Sequence, residues 1–292
     1  MWFQRLTPFQ NLIALVMDCD DTLCDDTTDF VLKSLGIPPY EEFWPRVKPK
    51  IERGWDPPLA YMDEFIKVIK ERDLKVTKKT LEEIGKKIQF YEGVPRCFEE
   101  LEDLVSATSR NLDLSIVIEF YVVTSGFEDV LKASSIDTAM KEIFGCTFEY
   151  DEQGNIVSPK SIITFTEKTK FLFAINKGIS GDVLRKNPGR VNNGIPEENR
   201  RIPLENMIYI GDGPTDIPCF SVITKAGGKG IGIMKRDKPE RGVPLWKGSR
   251  ITVGPYKPIY TNGSDLWFIL EQLINDIALD ISRRSKTVVV KK

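Results

Sequence analysis

Histidine is absent from the 292 residues. That rules out Ser-His-Asp and Cys-His catalysis, phosphohistidine chemistry and His-ligated zinc. Acid–base work then falls to Asp, Glu, Lys, Tyr or Cys. The five cysteines, Cys19, Cys24, Cys97, Cys146 and Cys219, are odd in number and lack CxxC spacing. They read as reduced thiols of a cytoplasmic protein, not as a disulfide framework or a zinc site. No apolar stretch approaches membrane-spanning length, and the first apolar run ends in aspartates, not in a signal-peptide cleavage site. Strong charge imbalance is missing too. A net charge of −2 favours neither nucleic acid nor an anionic membrane as partner. The basic residues Arg283, Arg284, Lys286, Lys291 and Lys292 read as a solvated terminus. GxxxxGK[ST] is absent, which argues against a P-loop nucleotidase. No cysteine has an arginine six positions on, which argues against a cysteine-based phosphatase.

What the chain does contain is ordinary globular composition, 41% hydrophobic and 29% charged, enough for a full core. It also contains one distinctive stretch, Leu12 to Leu23. Six apolar residues run into Asp18 and Asp20. A short apolar run without polar alternation suits a strand buried on both faces. Two carboxylates at its end suit either a divalent cation with a phosphate or a charged turn in the ligand crevice of an open sheet.

The chain then turns helical. Phe30, Val31, Leu32 and Leu35 form an apolar stripe that Gly36 and Pro38 close. In the Pro- and aromatic-rich segment 38–58, Pro45 and Pro49 are expected to limit helix length. Leu59, Met62, Phe65, Ile66 and Ile69 recur at helical spacing, and Thr80 with Glu83 resembles a capping box. Residues 25–90 therefore read as a small helical domain inserted into a core made of 1–24 and 91–292. Pro95 opens another helix.

A second buried strand covers about 116–123 and ends in Thr124-Ser125-Gly126. Residues 127–143 look helical, and 148–157 look like a hairpin around Gly154-Asn155. An amphipathic helix covers 167–177. Residues 178–203 look like an irregular surface insertion. A third buried strand, 207–210, ends in Gly211-Asp212-Gly213-Pro214-Thr215-Asp216. Another strand covers 230–234 and a last helix 266–281. The fold class expected is α/β, a Rossmann-like, mostly parallel sheet flanked by helices, with an inserted small helical cap.

The order of these polar strand ends resembles the haloacid dehalogenase superfamily of aspartate-nucleophile phosphohydrolases. Its DxDxT motif is met by Asp18-Cys19-Asp20-Asp21-Thr22. Its Thr/Ser strand end is met by Thr124, its lysine by Lys168 in Glu167-Lys168-Thr169-Lys170, and its GDxxxD by Gly211 to Asp216. The inserted helices resemble the cap of the phosphoserine-phosphatase-like branch. The resemblance implies Asp18 as nucleophile and Asp20 as acid–base residue. It implies Thr124, Ser125, Gly126 and Lys168 as phosphate-binding groups. Mg²⁺ would be held by Asp18, Asp212 and the Asp20 backbone carbonyl, with Asp216 orienting them. Lys168 is preferred to Lys170 because Phe171, Leu172 and Ile175 follow it at +3, +4 and +7.

The expected function is Mg²⁺-dependent hydrolysis of a small phosphorylated metabolite through an aspartyl-phosphate. Phosphoryl transfer to an acceptor alcohol and a non-catalytic regulatory role are the alternatives. Asp20 favours phosphate over halide chemistry, since a halide leaves without a proton. Lys67, Lys70 and Arg72 are the cap cations available to a substrate carboxylate.

Overall fold

A computed structural model describes residues 10–235 and 251–286; Lys291 and Lys292 lie outside them. Its framework is a seven-stranded sheet in the order β4-β3-β2-β1-β5-β6-β7. The strands are β1 (Leu12–Met17), β2 (Val117–Phe127), β3 (Met140–Tyr150), β4 (Ile156–Ser161), β5 (Met207–Gly211), β6 (Lys229–Ile233) and β7 (Val253–Tyr256). All neighbouring pairs are parallel except β3 with β4.

β1 lies in the middle because it can be covered on both faces. From Ile13 to Met17 no side chain is more than 1% exposed. Full burial of such side chains contributes roughly 1.5–3 kcal/mol each, so a charge placed at Val16 would break the sheet at its centre. On the flanks, α5 (Arg96–Leu112) packs on β2, where Phe98 meets Phe120 at 4.9 Å between ring centroids. α10 (Asp265–Lys286) packs on α5 and β1. α9 (Ile217–Lys225) covers β5 and β6. This is the expected α/β architecture.

Between β1 and α5 the chain forms α1 (Thr27–Ser34), a π-helical turn (Pro39–Phe43), α2 (Trp44–Glu52), α3 (Pro57–Glu71) and α4 (Lys78–Gly85). α2 is nine residues long, with Pro45 in its first turn and Pro49 inside it. α4 is capped one turn earlier than Thr80 and Glu83 suggest. Thr77 is the N-cap, and Thr80 answers it from the third helical position.

The longest misreading is 127–143. Only α6 (Glu128–Leu131) and a 3₁₀ turn at Asp137–Ala139 are helical there, and β3 begins at Met140. The pairing of β3 along β2 overrides the local helical pattern. The insertion 178–203 contains a short helix, α8 (Gly181–Lys186), and two 3₁₀ turns. At the terminus, Arg284 is not simply solvated, since it bonds Glu205 and the Asn206 side chain. No helix among the described residues is long and apolar enough to cross a membrane.

Candidate active site

The register of the central strands assembles the site. Met17 stands opposite both Val122 of β2 and Ile210 of β5. Asp18 follows Met17 directly, and its N–H donates to the Ile210 carbonyl at 2.9 Å. Thr124 lies two residues past Val122, and Asp212 two past Ile210, so the carboxyl ends of three adjacent strands meet. The ligand oxygens of Asp18, Asp212 and Asp216 all come within 4.8 Å of one another, and all three residues are buried.

Lys168 completes this cluster. It lies in the first turn of α7 (Glu167–Lys177), on the stripe it shares with buried Phe171, Leu172 and Ile175. Its ammonium is 2.9 Å from Asp18 Oδ1 and 2.8 Å from Asp216 Oδ1, with only 1% of the side chain exposed. Lys170 pairs instead with Glu167 on the helix surface. Protein donors hold both oxygens of Asp216. Its Oδ1 also accepts from the Tyr209 hydroxyl at 2.7 Å, and its Oδ2 from the Gly213 N–H at 3.2 Å. Gly211 permits this approach, because a Cβ there would stand 2.5 Å from the Asp216 carboxyl carbon.

The Lys168 ammonium thus pairs with two carboxylates, Asp18 and Asp216. Burial, reinforced by repulsion from Asp216 and opposed by Lys168, pushes the Asp18 carboxyl up to about 6. Lys168 itself is lowered by burial, but the charges of Asp18 and Asp216 outweigh that and hold it above the usual lysine range. The cluster fits a hard divalent cation. Its side-chain donors, Asp18, Asp212 and Asp216, are all carboxylates, the hard oxygen ligands that such a cation takes.

The Asp20 carboxylate is not part of this cluster. Its Oδ1 accepts from the Thr27 N–H at 2.7 Å, at the start of α1. Desolvation pushes it well above the ordinary carboxylate range. The charges of Asp26 and Asp18 add to that, and the hydrogen bond from the Thr27 N–H opposes it. Thr124 accepts the Gly126 N–H at 3.0 Å, which leaves its own hydroxyl proton to give away.

The Ser125 hydroxyl and the Gly126 N–H both have partners within the protein. The Ser125 hydroxyl donates to the Ile163 carbonyl at 2.8 Å, and the Gly126 N–H is spent on Thr124. Neither is aimed at a phosphate through those groups. Gly126 serves by lacking a side chain. A Cβ there would press on Thr27 Oγ1 at 2.7 Å and approach Asp20 Oδ2 at 3.3 Å and Thr124 Oγ1 at 3.4 Å.

Three further residues border the site without any signal in the motifs. Tyr209 holds Asp216, and only the buried-strand pattern placed it nearby. Tyr61 of α3 donates to the Ser125 carbonyl and stacks towards Phe127. Thr27 Oγ1 is buried and has no hydrogen-bond partner. By contrast, Lys67 pairs with Asp63, and Arg72 with Glu42 and the Gly36 carbonyl.

No family model matches the chain. A curated relative, an uncharacterized protein of Borreliella burgdorferi, is 26% identical over 237 residues, 73% of this chain and 79% of its own. Among solved structures, a HAD family hydrolase from Salmonella enterica serovar Typhi superposes with TM-score 0.54 at 16% identity, covering 94% of this chain and 74% of that one. A substrate-bound phosphoserine phosphatase gives 0.50 at 18% identity, covering 89% and 98%. A probable phosphoserine phosphatase from Vibrio cholerae gives 0.50 at 13% identity, covering 98% and 71%. These likenesses and the sheet order agree: the chain has the haloacid dehalogenase fold, in its phosphoserine-phosphatase-like form with a helical cap.

Proposed function

We propose that the chain is a Mg²⁺-dependent phosphatase that hydrolyses a small phosphate monoester through an aspartyl-phosphate on Asp18. The observation that carries this reading is the convergence of Asp18, Asp212, Asp216 and Lys168 at the ends of β1 and β5. Asp18, Asp212 and the Asp20 backbone carbonyl would hold the cation. When bound, it supplies positive charge against the phosphate dianion.

Asp18 attacks phosphorus and the bond to the leaving oxygen breaks. That oxygen takes the proton of Asp20, a carboxyl whose raised pKa keeps it protonated further towards neutrality than an ordinary one. Asp20 then takes a proton from water, which attacks the aspartyl-phosphate, releases phosphate and frees Asp18. The Thr124 hydroxyl donates to a phosphoryl oxygen, and Lys168 holds Asp18 in line while adding positive charge. Tyr209 and Gly213 fix Asp216, which fixes Lys168 in turn.

Residues 25–90 act as a cap in this reading. Thr27 and Tyr61 join them to Asp20 and Ser125, and Phe65 packs on Phe127 and Phe148. A cap of this kind favours small substrates and excludes water during transfer. Cytoplasmic residence belongs to the same reading, supported by five buried free thiols.

A phosphate-release screen over phosphorylated metabolites, with and without Mg²⁺, tests the proposal. The expected result is Mg²⁺-dependent release from a small monoester. No release from any of them, activated aryl phosphates included, contradicts it.

A further inference from the structure

Cys19 and Cys24 take no part in the chemistry proposed for the carboxylates, yet they flank it. Their sulfurs stand 3.6 Å apart, and both residues are buried. The backbone between them is wound tightly. The N–H groups of Thr22, Leu23 and Cys24 converge on the Cys19 carbonyl at 3.1, 2.7 and 3.3 Å, and the Asp21 N–H donates to the Cys24 carbonyl at 2.8 Å. An Asp20 carboxylate oxygen and the two sulfurs all lie within 4.8 Å of one another. Asp20 is the one member of the three that is not fully buried as a residue.

We propose that Cys19, Asp20 and Cys24 form a binding site for a thiophilic divalent cation such as Zn²⁺ or Cd²⁺, separate from the Asp18–Asp212–Asp216 cluster, and that filling it withdraws the Asp20 carboxylate from proton transfer. Two sulfurs bound tetrahedrally at about 2.3 Å from one zinc stand about 3.8 Å apart. The pair is therefore already close to chelating separation. A disulfide instead requires about 2.05 Å, and both cysteines are free thiols. On binding, each thiol releases its proton to solvent as its sulfur is taken up. Two cysteinates and one carboxylate supply three ligands and a water the fourth. Hard Mg²⁺ prefers the all-oxygen cluster, so the two sites differ in the cation they select. The link to turnover rests on the role proposed for Asp20, whereas cation binding does not.

The test is a Cd²⁺ titration of the reduced full-length chain in saturating Mg²⁺, followed by the thiolate-to-cadmium charge-transfer absorption. The expected result is one equivalent of Cd²⁺ taken up with that band. Cys24→Ser should lose the band or bind at least about tenfold more weakly, with Cys24→Ala as a second variant if the hydroxyl disturbs folding. Cys97→Ser should keep the band, since Cys97 lies on α5 outside the group. No band in the unmodified chain, or an equal band in both Cys24 variants, overturns the site. On a phosphate ester that the chain hydrolyses, Cd²⁺ should lower turnover by about 10²-fold or more, the scale of general acid–base catalysis, and Cys24→Ser should escape. Equal inhibition of both proteins overturns the link to Asp20 and places the inhibiting cation in the carboxylate cluster.

Discussion

Replacing Asp18 by Asn should stabilise the metal-free chain while abolishing turnover. Asp18 is 5% exposed, and burial together with repulsion from Asp216 raises its carboxyl from the ordinary 3.8 to about 6. A folded-state pKa above the unfolded one means that rising pH costs stability as it passes from the lower value to the higher. At about 1.36 kcal/mol per pKa unit, ionising Asp18 in the fold costs the metal-free chain roughly 3 kcal/mol. Asn at this position keeps an oxygen that can accept from Lys168 and the Cys19 N–H, the two donors on Asp18 Oδ1. It cannot ionise. The expected gain is about 2–3 kcal/mol above pH 6, shrinking to nothing below about pH 4. Urea denaturation with a chelator present, at several pH values across this window, measures it. Mg²⁺ should narrow the difference, because the cation stabilises the parent chain through Asp18. A gain that does not depend on pH, or no gain at all, would refute the electrostatic reading of the cluster.

Three other outcomes follow from the same geometry. Asp212→Asn should raise the Mg²⁺ concentration needed for half-maximal activity by more than it raises KM, and activity that survives thorough chelation would remove the metal from the account. Tyr209→Phe deletes a buried donor to Asp216, so urea unfolding should show a loss of about 1.5–3 kcal/mol, with kcat falling and KM little changed. Asp20→Asn should lose about 10²–10⁴-fold on alkyl phosphates but much less in phosphorylation by aryl phosphates, whose leaving oxygen needs no proton; equal losses on both would take the proton from Asp20.

The central strands and the carboxylates were legible because β1 and β5 are short, fully apolar runs that lead straight into Asp18 and Asp212. Such runs make central strands, and parallel neighbours bring their carboxyl ends together. Lys168 could be separated from Lys170 by helical spacing alone, since it shares the stripe of Phe171, Leu172 and Ile175. β3 was hidden because Lys141 and Glu142 break its apolar pattern and its identity as a strand comes from β2. β7 was hidden because it is four residues long and includes Gly254 and Pro255. The partner of the Ser125 hydroxyl, the Ile163 carbonyl, lies 38 residues further on and leaves no local trace. Tyr61 and Thr27 reach the site through tertiary packing, which no local pattern records. The Cys19–Cys24 contact is different. Its spacing was visible, but only the winding of the loop brings the sulfurs together.

The central claim is that Asp18 carries the phosphoryl group. Acid-quenching the Asp20→Asn variant within the first turnover of an aryl phosphate, followed by peptide mass spectrometry, tests it most directly. The account expects a phosphorylated peptide with the modification on Asp18, absent when Asp18→Asn is added to the same variant. A phosphorylated residue elsewhere, or turnover of the Asp18→Asn chain with no phosphoenzyme at any time, would contradict it.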